Sequence, residues 1–392
     1  MAKKISDKNN ITLQKARKNK KDEFYTMYAD IQAELNNYTD KFTNKTVLCN
    51  CDDPLESNFC KFFLKNFNYL HLKRLICTSY SGSPVLGKQM SLFDDQDKAL
   101  IPEHGYVIDI TEVPMHNNRG VSDDDIEKLL HSKKRGVKKL NGNGDFNSQE
   151  CIEYLEQADV ICTNPPFSKF REYVQLLVDY KKKFIIIGSL NAVGYYKFFP
   201  LIKNNQVWIG RSIHSGDRKF YVPDNYPLDA AGCGIDDEGR HFIKVKGVRW
   251  FTNIDFKQRH EDIILYRHYD PEQYKKYDNY DVIEVKKTAD IPMDYDGLMG
   301  LPLSFIDVYN PDQFEIVGAT QKWCHDKALE LKKYGNYIGK HKDGTLTGRK
   351  GNTMVGNPMM VKNDGIHDYY ENEDGIQVQS LYHRIIIRRK RK

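Results

Sequence analysis

The chain of 392 residues has little of what marks several classes of protein. No apolar run approaches the ~20 residues of a membrane span, and the lysine-rich start lacks the apolar core of a signal peptide. The eight cysteines show neither C-x-x-C spacing nor a Cys/His cluster of zinc type, so no metal site is predicted. With only 14 prolines and 40% apolar residues, the chain is neither disordered nor fibrous. We expect a soluble, cytoplasmic, globular protein large enough for two packed cores.

The net charge of +5 is distributed unevenly along the chain. Residues 1–21 carry eight cations and one acid, and residues 384–392 carry six cations and no acid. The two ends thus hold a formal +13, and residues 22–383 hold −8. Basic segments gain affinity for nucleic acid because each phosphate contact releases condensed counterions. The pattern favours a nucleic-acid partner; the alternative is a pair of solvated tails that aid solubility.

Strands and helices alternate through the first part of the chain. Apolar runs predict strands at residues 46–51, 72–78, 106–110 and 183–188, and a strand that starts at Ala158 and runs up to Asn164. Later strands are expected at the edge of the sheet, at residues 207–211, 220–222 and 247–253. Helical spacing predicts helices at residues 27–35, 57–67, 149–157 and 170–180. This alternation is typical of an α/β fold with a mostly parallel sheet and helices on both faces. Beyond residue 260 the sequence is polar and tyrosine-rich, which indicates a second, smaller α+β domain.

The segment ADVICTNPPFS at residues 158–168 is an apolar strand that runs into Asn164, Pro165, Pro166 and Phe167. In open α/β sheets, ligands bind at the carboxyl ends of strands, where this corner is expected. The prolines fix the backbone and lack an N–H, so the corner offers acceptors: the Asn164 amide oxygen and the Pro165 carbonyl. Two acceptors beside an aromatic ring suit a planar base with an NH₂ group, which they would make more nucleophilic. We therefore predict catalysis at this corner; the alternative is an ordinary strand-ending turn.

The stretch ADVICTNPPFSKFREY also resembles the fourth conserved motif of the amino-methyltransferases. Further segments resemble the EcoRI-type family of DNA adenine-N6 methyltransferases: KKDEFYTMYADIQAEL, VLCNCDDPLESNF, NGNGDFNSQECIEYL, RWFTNID, YDNYDVIEVKKTADIPMDYDGLMGLPLSF and NPDQFEIVG. The resemblance covers residues 20–318 and the terminal YHRIIIRRK. Residues 320–380 show none and are expected to vary with the recognised sequence.

This resemblance implies a class I, Rossmann-like methyltransferase domain over residues 1–260, with a basic N-terminal arm, and a DNA target-recognition domain over residues 261–392. The implied reaction transfers a methyl group from S-adenosylmethionine to adenine N6 in duplex DNA, with the base flipped out of the helix. A partner restriction endonuclease acting on the same site is expected, and no obligate protein partner. Two alternatives stay open: methylation of RNA bases or protein glutamine, and an inactive DNA-binding relative.

Four residues are implied to contact the cofactor. Tyr25 and Thr26, in DEFYT, would hold the amino-acid end of S-adenosylmethionine. Asp145 and Phe146 would bracket its adenine, and an Asp-Phe pair can indeed bond and stack a base.

The end of the first strand leaves one choice open. Asn50, Asp52 and Asp53 all lie there, and the sequence does not decide which of them contacts the cofactor. Relatives with this chemistry carry a glycine-rich turn at this place, whereas CDDPLES has none and puts Ser57 where a glycine is expected.

Deletion of residues 1–18 tests the basic arm. The deletion removes six of the arm's eight cations and keeps DEFYT whole. Binding to cognate and scrambled duplexes should weaken alike, and the slope of log K against log salt should become shallower by up to ~5. The preferred base sequence should not change, because phosphate contacts do not read bases. An unaltered slope would identify the arm as a solvated tail.

Overall fold

The computed structural model describes residues 24–51, 57–80, 104–115, 121–130, 137–222, 226, 228, 232–320, 329–351, 356–362 and 364–391. The chain divides into two compact units. Unit 1 consists of Met1–Leu190 and Ile209–Ile254, and unit 2 of Asn191–Trp208 and Asp255–Lys392. The division at residue 260, and the role of each part, remain predictions. The basic arm of residues 1–21 lies outside the described residues.

Unit 1 is a mixed α/β structure. Its α-helices in the described ranges are α1 (Tyr28–Leu35), α2 (Asn58–Lys65), α3 (Asp123–Leu130), α4 (Gln149–Gln157) and α5 (Phe170–Asp179). Its strands are β1 (Tyr25–Thr26), β2 (Thr46–Asn50), β3 (Arg74–Ser79), β4 (Tyr106–Ile110), β5 (Lys138–Lys139), β6 (Val160–Thr163), β7 (Lys183–Ser189), β9 (Arg218–Tyr221), β10 (Gly234–Ile235), β11 (His241–Val245) and β12 (Val248–Thr252); β8 (Trp208–Ile209) spans the boundary. Short 3₁₀ helices in the two units occupy Asn36–Lys41, Leu190–Gly194, Lys257–His260, Thr288–Asp290 and Leu303–Val308. No helix in the described ranges is long and apolar enough to cross a membrane.

The large sheet of unit 1 has the strand order β5-β4-β3-β2-β6-β7-β12-β8. Its four central strands, β3, β2, β6 and β7, are parallel. The expectation of a mostly parallel sheet holds only for this centre, because β4, β5 and β12 pair antiparallel with their neighbours. Alternation predicts parallel strands only where a crossover helix intervenes, and the sequence between β3 and β4 shows no helical pattern.

A second, smaller sheet has the order β1-β9-β11-β10 and is antiparallel throughout. The strand expected near residues 220–222 at the edge of the large sheet therefore belongs to this separate sheet. The register joins Tyr25 to Tyr221 and Thr26 to Phe220. Since side chains alternate between the faces of a strand, Phe220 points inward and is fully buried while its neighbours are partly exposed.

Helix α2 illustrates how local sequence builds the core. The Ser57 hydroxyl caps its first turn by accepting the N–H groups of Phe59 and Cys60 at 3.1 and 3.2 Å. Such a cap contributes ~1 kcal/mol. Phe59 and Phe63 are buried on the covered face, and the Phe59 ring packs edge-on against Trp250 at 5.9 Å.

Unit 2 consists mainly of strands in its described residues. Besides helix α6 (Phe199–Lys203), its strands are β13 (Ile283–Glu284), β14 (Met299–Pro302), β15 (Phe314–Ala319), β16 (Ile338–Lys340), β17 (Leu346–Lys350), β18 (Met359–Val361), β19 (Tyr369–Glu371), β20 (Gln377–Ser380) and β21 (Arg384–Arg389). They form two sheets, with the orders β13-β14-β21-β15 and β17-β16-β19-β20-β18.

The basic C-terminal segment is a central strand of the first of these sheets. Strand β21 lies between β14 and β15, and Ile385, Ile386 and Ile387 are fully buried. Several of its cations are paired with acids of unit 2, in the pairs Arg384–Glu284 (2.8 Å), Arg388–Glu315 (2.8 Å) and Arg391–Asp296 (2.6 Å). The partner acids lie some 70 to 100 residues away along the chain. The sequence around the cations therefore gives no sign of this pairing. The expected nucleic-acid role of the C-terminal charges loses support accordingly.

The two arginine pairs of β21 should differ greatly in their effect on stability. Arg384 binds both carboxylate oxygens of Glu284, and both side chains are mostly buried, at 13% and 8% exposure. Arg384→Ala would leave the buried Glu284 carboxylate without a cation, with the Tyr277 hydroxyl as its remaining donor, and should lower the free energy of unfolding by about 3–5 kcal/mol. Arg388→Ala, the matched control in an exposed pair, should cost less than ~1 kcal/mol. Equal effects in urea unfolding would refute this assignment.

Candidate active site

The predicted corner follows β6 directly. All four residues of β6 are buried, and Asn164 is only 5% exposed. The Pro166 carbonyl accepts the Lys169 N–H at 2.9 Å, which closes a turn into α5. Within the described residues no hydrogen bond reaches the buried Pro165 carbonyl, so this oxygen remains available as an acceptor.

The amide of Asn164 is held at one end only. Its Nδ2 donates to the backbone carbonyl of Phe24, which fixes the orientation of the amide plane. Its Oδ1 is buried and has no hydrogen-bond partner among the described residues. A buried acceptor without a donor costs ~1–3 kcal/mol, and in native proteins such groups often mark functional sites. The corner therefore presents an oriented amide oxygen to a donor that the chain itself does not supply.

Aromatic rings brace the corner. Phe167 is 8% exposed and packs edge-on against Phe24 and Phe220, at centroid distances of 5.7 and 6.2 Å. The Phe24 ring also packs against Tyr226 at 6.1 Å. Phe24 thus contacts the corner twice, through its carbonyl and through its ring. Sequence reasoning selected the DEFYT segment for Tyr25 and Thr26 and missed Phe24, whose contribution comes from its backbone.

Tyr25 and Thr26 continue from Phe24 as strand β1. The Thr26 carbonyl accepts Nδ2 of Asn58 at 2.7 Å, so α2 anchors this strand. The Thr26 hydroxyl is buried and has no partner within the described part of the chain. Tyr25 is partly exposed. The structure therefore brings both predicted residues beside the corner and leaves one buried hydroxyl for a ligand.

Asn50 ends β2 at the same edge of the sheet as Asn164, because β2 and β6 are neighbouring parallel strands. Its Oδ1 accepts the hydroxyl of Tyr173 from α5, and its backbone carbonyl accepts the hydroxyl of Thr163. With Oδ1 engaged, Nδ2 is the part of the amide that could meet a ligand. Asn50 therefore links β2, β6 and α5 whatever else it contacts.

The sequence after β2 contains no glycine, and the residue that directly follows the strand is Cys51. Cys51 adopts a left-handed backbone with φ of 64°, a conformation that costs a residue with a Cβ ~1–2 kcal/mol. Ser57, where a glycine is expected, instead caps α2. Asp52 and Asp53 lie outside the described residues, so the choice between them and Asn50 stays a prediction.

Asp145 and Phe146 lie in the glycine-rich turn before α4. Gly144 has φ of +75°, and a Cβ at this residue would lie 2.0 Å from the Ser79 carbonyl oxygen at the end of β3. The Asp145 Oδ1 accepts the Asn147 N–H at 3.0 Å, which holds the carboxylate in the turn. Phe146 is 4% exposed. The two predicted residues are thus fixed at the carboxyl end of β3, next to that of β2.

Lys169 and Tyr173 contact Asp145 and Phe146, and sequence reasoning did not select either of them. The Lys169 Nζ lies 3.0 Å from Asp145 Oδ2 and 5.2 Å from the centroid of the Phe146 ring. Burial lowers the pKa of Lys169, but the hydrogen bond and charge of Asp145 outweigh it and leave the pKa raised. The Tyr173 ring packs at 90° against Phe146, with centroids 5.1 Å apart. The available signal was their spacing: Lys169 precedes the first residue of α5, and Tyr173 lies four residues later, on the same side of the helix.

No group of three or more His, Cys, Asp or Glu side chains is arranged to hold a metal ion within the described ranges. The polar groups of the corner and of the Asp145 turn define the candidate site.

Comparison with known proteins identifies the family of the chain. The chain belongs to the family described as "Adenine-specific methyltransferase EcoRI", whose model matches residues 12–390. It is 42% identical over 324 residues to the Type II methyltransferase M.EcoRI of Escherichia coli, which covers 82% of this chain and 93% of that protein.

Two mycoplasma proteins are also similar. The chain is 36% identical over 309 residues to the Type II methyltransferase M.MgeORF184P of Mycoplasma genitalium, covering 77% of this chain and 84% of that protein. It is 36% identical over 308 residues to the Type II methyltransferase M.MpnI of Mycoplasma pneumoniae, with the same coverage. The family and the methyltransferase activity expected from the sequence are thereby confirmed.

The Asp145 turn allows a test with two neighbouring glycines. Gly144→Ala should lower the free energy of unfolding by about 3 kcal/mol, because it combines a left-handed backbone with a clash against Ser79. Gly142→Ala is the matched control, since its Cβ would meet only Glu150 Oε2 at 3.9 Å. It should change stability by less than ~1 kcal/mol. A neutral Gly144→Ala variant in urea unfolding would contradict the described turn.

Proposed function

We propose that this protein transfers a methyl group from S-adenosylmethionine to the exocyclic N6 of adenine within a specific sequence of duplex DNA. The observation that carries the proposal is the buried, oriented and unpartnered Oδ1 of Asn164. Membership of an adenine-specific methyltransferase family supports the choice of base. The likeness to proteins named Type II methyltransferases supports DNA as the substrate.

The chemistry of the amine explains why this acceptor matters. The lone pair of an exocyclic amine is delocalised into the ring, so the nitrogen is a poor nucleophile. Asn164 Oδ1 and the Pro165 carbonyl would accept its two N–H bonds and draw them out of the ring plane. The same acceptors stabilise the positive charge that develops as nitrogen bonds to the methyl carbon. The methyl–sulfur bond would break as the new bond forms, so S-adenosylhomocysteine would leave as a neutral thioether. The surplus proton of the nitrogen would pass to water, which restores a neutral N6-methyl amine.

The residues of unit 1 fit the proposed cofactor. S-adenosylmethionine supplies an electrophilic methyl group on a sulfonium. The buried Thr26 hydroxyl and the Asn50 amide would bind polar atoms of its amino-acid end, and Asp145 with Phe146 would contact its adenine. Lys169 already covers the Phe146 ring and neutralises Asp145, so an incoming adenine must share this pocket with the Lys169 ammonium.

The target base must leave the helix to reach the corner. An amine inside duplex DNA is inaccessible, and flipping it costs a few kcal/mol, which stacking and hydrogen bonds offset. Phe167 would stack on the flipped base, and its edge contacts with Phe24 and Phe220 hold the ring in place.

Further assignments complete the proposal. Unit 1 would be a class I, Rossmann-like methyltransferase domain, and unit 2 would recognise the DNA sequence. Methylation would protect host DNA in the cytoplasm from a partner restriction endonuclease acting on the same site.

Asn164→Ala tests the central role of the corner. Loss of one preorganised acceptor should reduce turnover ~10²-fold or more, whereas binding of S-adenosylhomocysteine, followed by calorimetry, should stay close to that of the unmodified protein. Transfer of tritiated methyl groups to DNA, RNA and protein measures the activity. Near-normal turnover in the variant would make the corner structural. Transfer by the unmodified protein to RNA or protein alone would reject the proposed substrate.

A further inference from the structure

Strands β16 and β17 of unit 2 form an antiparallel ribbon of residues 338–350. Its turn is built from local hydrogen bonds. Asp343 Oδ1 accepts both the N–H and the hydroxyl of Thr345, at 3.0 and 2.6 Å, and His341 N–H donates to the Thr345 carbonyl at 2.8 Å. Gly344 supplies the left-handed residue that the turn requires, with φ of +87°. These bonds define the tip locally, and His341 Nδ1 also lies 3.2 Å from Asp368 Oδ1 in the neighbouring part of the unit.

Strand β17 is exposed on both of its faces. It is the edge strand of its sheet, and four of its five residues are exposed, including Leu346 at 67%. By contrast, β20 inside the same sheet buries Val378 and Gln379. Since alternate residues of a strand point to opposite faces, exposure at Arg349 and Lys350 together means that neither face packs on a core. An exposed edge strand can pair with the strands of other chains, so its presence here indicates a function for this edge.

The ribbon is strongly basic. Residues 340–350 contain four cations, one histidine (His341) and one acid (Asp343). Lys340 pairs with Glu371, but Lys342 and Arg349 have no side-chain partner within the described residues. Their charges are therefore available to a polyanion.

Arg349 is an exposed residue of β17 that lies across from Gly339 of β16. Gly339 lies across from Thr347 and Arg349: a Cβ at this glycine would lie 2.4 Å from Thr347 Oγ1 and 3.3 Å from the Arg349 Cβ. Because Gly339 has no side chain, Thr347 and the base of the Arg349 side chain occupy the space above it. The Thr347 hydroxyl also accepts the Arg349 N–H at 3.2 Å, and the exposed Arg349 side chain lies on the same face of β17 as Thr347.

We propose that this ribbon enters the major groove of the target duplex and that Arg349 reads a base edge there. The major groove is ~12 Å wide and admits a two-stranded ribbon. Guanidinium groups bind the N7 and O6 of guanine in a bidentate manner, and threonine contacts base edges of either kind. Lys342 at the tip suits a phosphate. The inference rests on the proposed function, since it names the element that recognises the DNA substrate.

The test compares two arginine variants of the full-length protein. The cognate sequence is first identified by sequencing methylated DNA from cells that produce the unmodified protein. Methylation rates are then measured on the cognate duplex and on duplexes with each base pair changed in turn. Arg349→Ala should lower kcat/KM on the cognate duplex about 10- to 100-fold and lose discrimination at one base pair. Arg267→Ala, an exposed arginine elsewhere in unit 2, should keep the full pattern.

The outcomes separate the inference from the proposed function. Unchanged discrimination in Arg349→Ala, or an equal loss on every duplex, would overturn base reading by Arg349. A change of pattern in Arg267→Ala alone would move recognition to the tyrosine-rich segment and also overturn the inference. If the unmodified protein methylates no duplex, the proposed function fails and this inference fails with it. An unaltered urea unfolding curve for Arg349→Ala would confirm that the variant is folded.

Discussion

The hydrogen bond from Asn164 Nδ2 to the Phe24 carbonyl is the interaction on which the candidate site depends. An amide can turn end for end at little cost in shape, and only its hydrogen bonds decide which end faces a ligand. Here the nitrogen is engaged and the oxygen is left without a partner among the described residues. The sheet that pairs β1 with β9 holds Phe24 in place, so residues far apart in the chain determine the direction of one oxygen.

A second set of contacts joins the two halves of the proposed chemistry. Helix α5 begins three residues after the corner, and Lys169 and Tyr173 reach from it to Asp145, Phe146 and Asn50. A displacement of the corner would therefore also shift the groups proposed to bind the cofactor. Preorganisation of this kind favours the transition state, because the groups do not have to be reoriented during the reaction.

Local patterns were sufficient to predict much of this arrangement. The strand before Asn164, helices α4 and α5, the Ser57 cap and the Asp145 turn each depend on residues close together in the sequence. Long-range features were not predictable in the same way. The antiparallel direction of β4, the partners of Arg384 and Arg388 and the use of the Phe24 carbonyl all depend on residues distant in the chain. The left-handed Cys51 was missed because such turns usually contain glycine.

A crystal structure of the complex with cognate duplex DNA and S-adenosylhomocysteine would test the central claim most directly. The account predicts a flipped adenine whose N6 lies within hydrogen-bond distance, ~3 Å, of both Asn164 Oδ1 and the Pro165 carbonyl, while Nδ2 still donates to Phe24. An adenine that remains stacked in the helix, or an Asn164 oxygen bonded to another protein group, would contradict it.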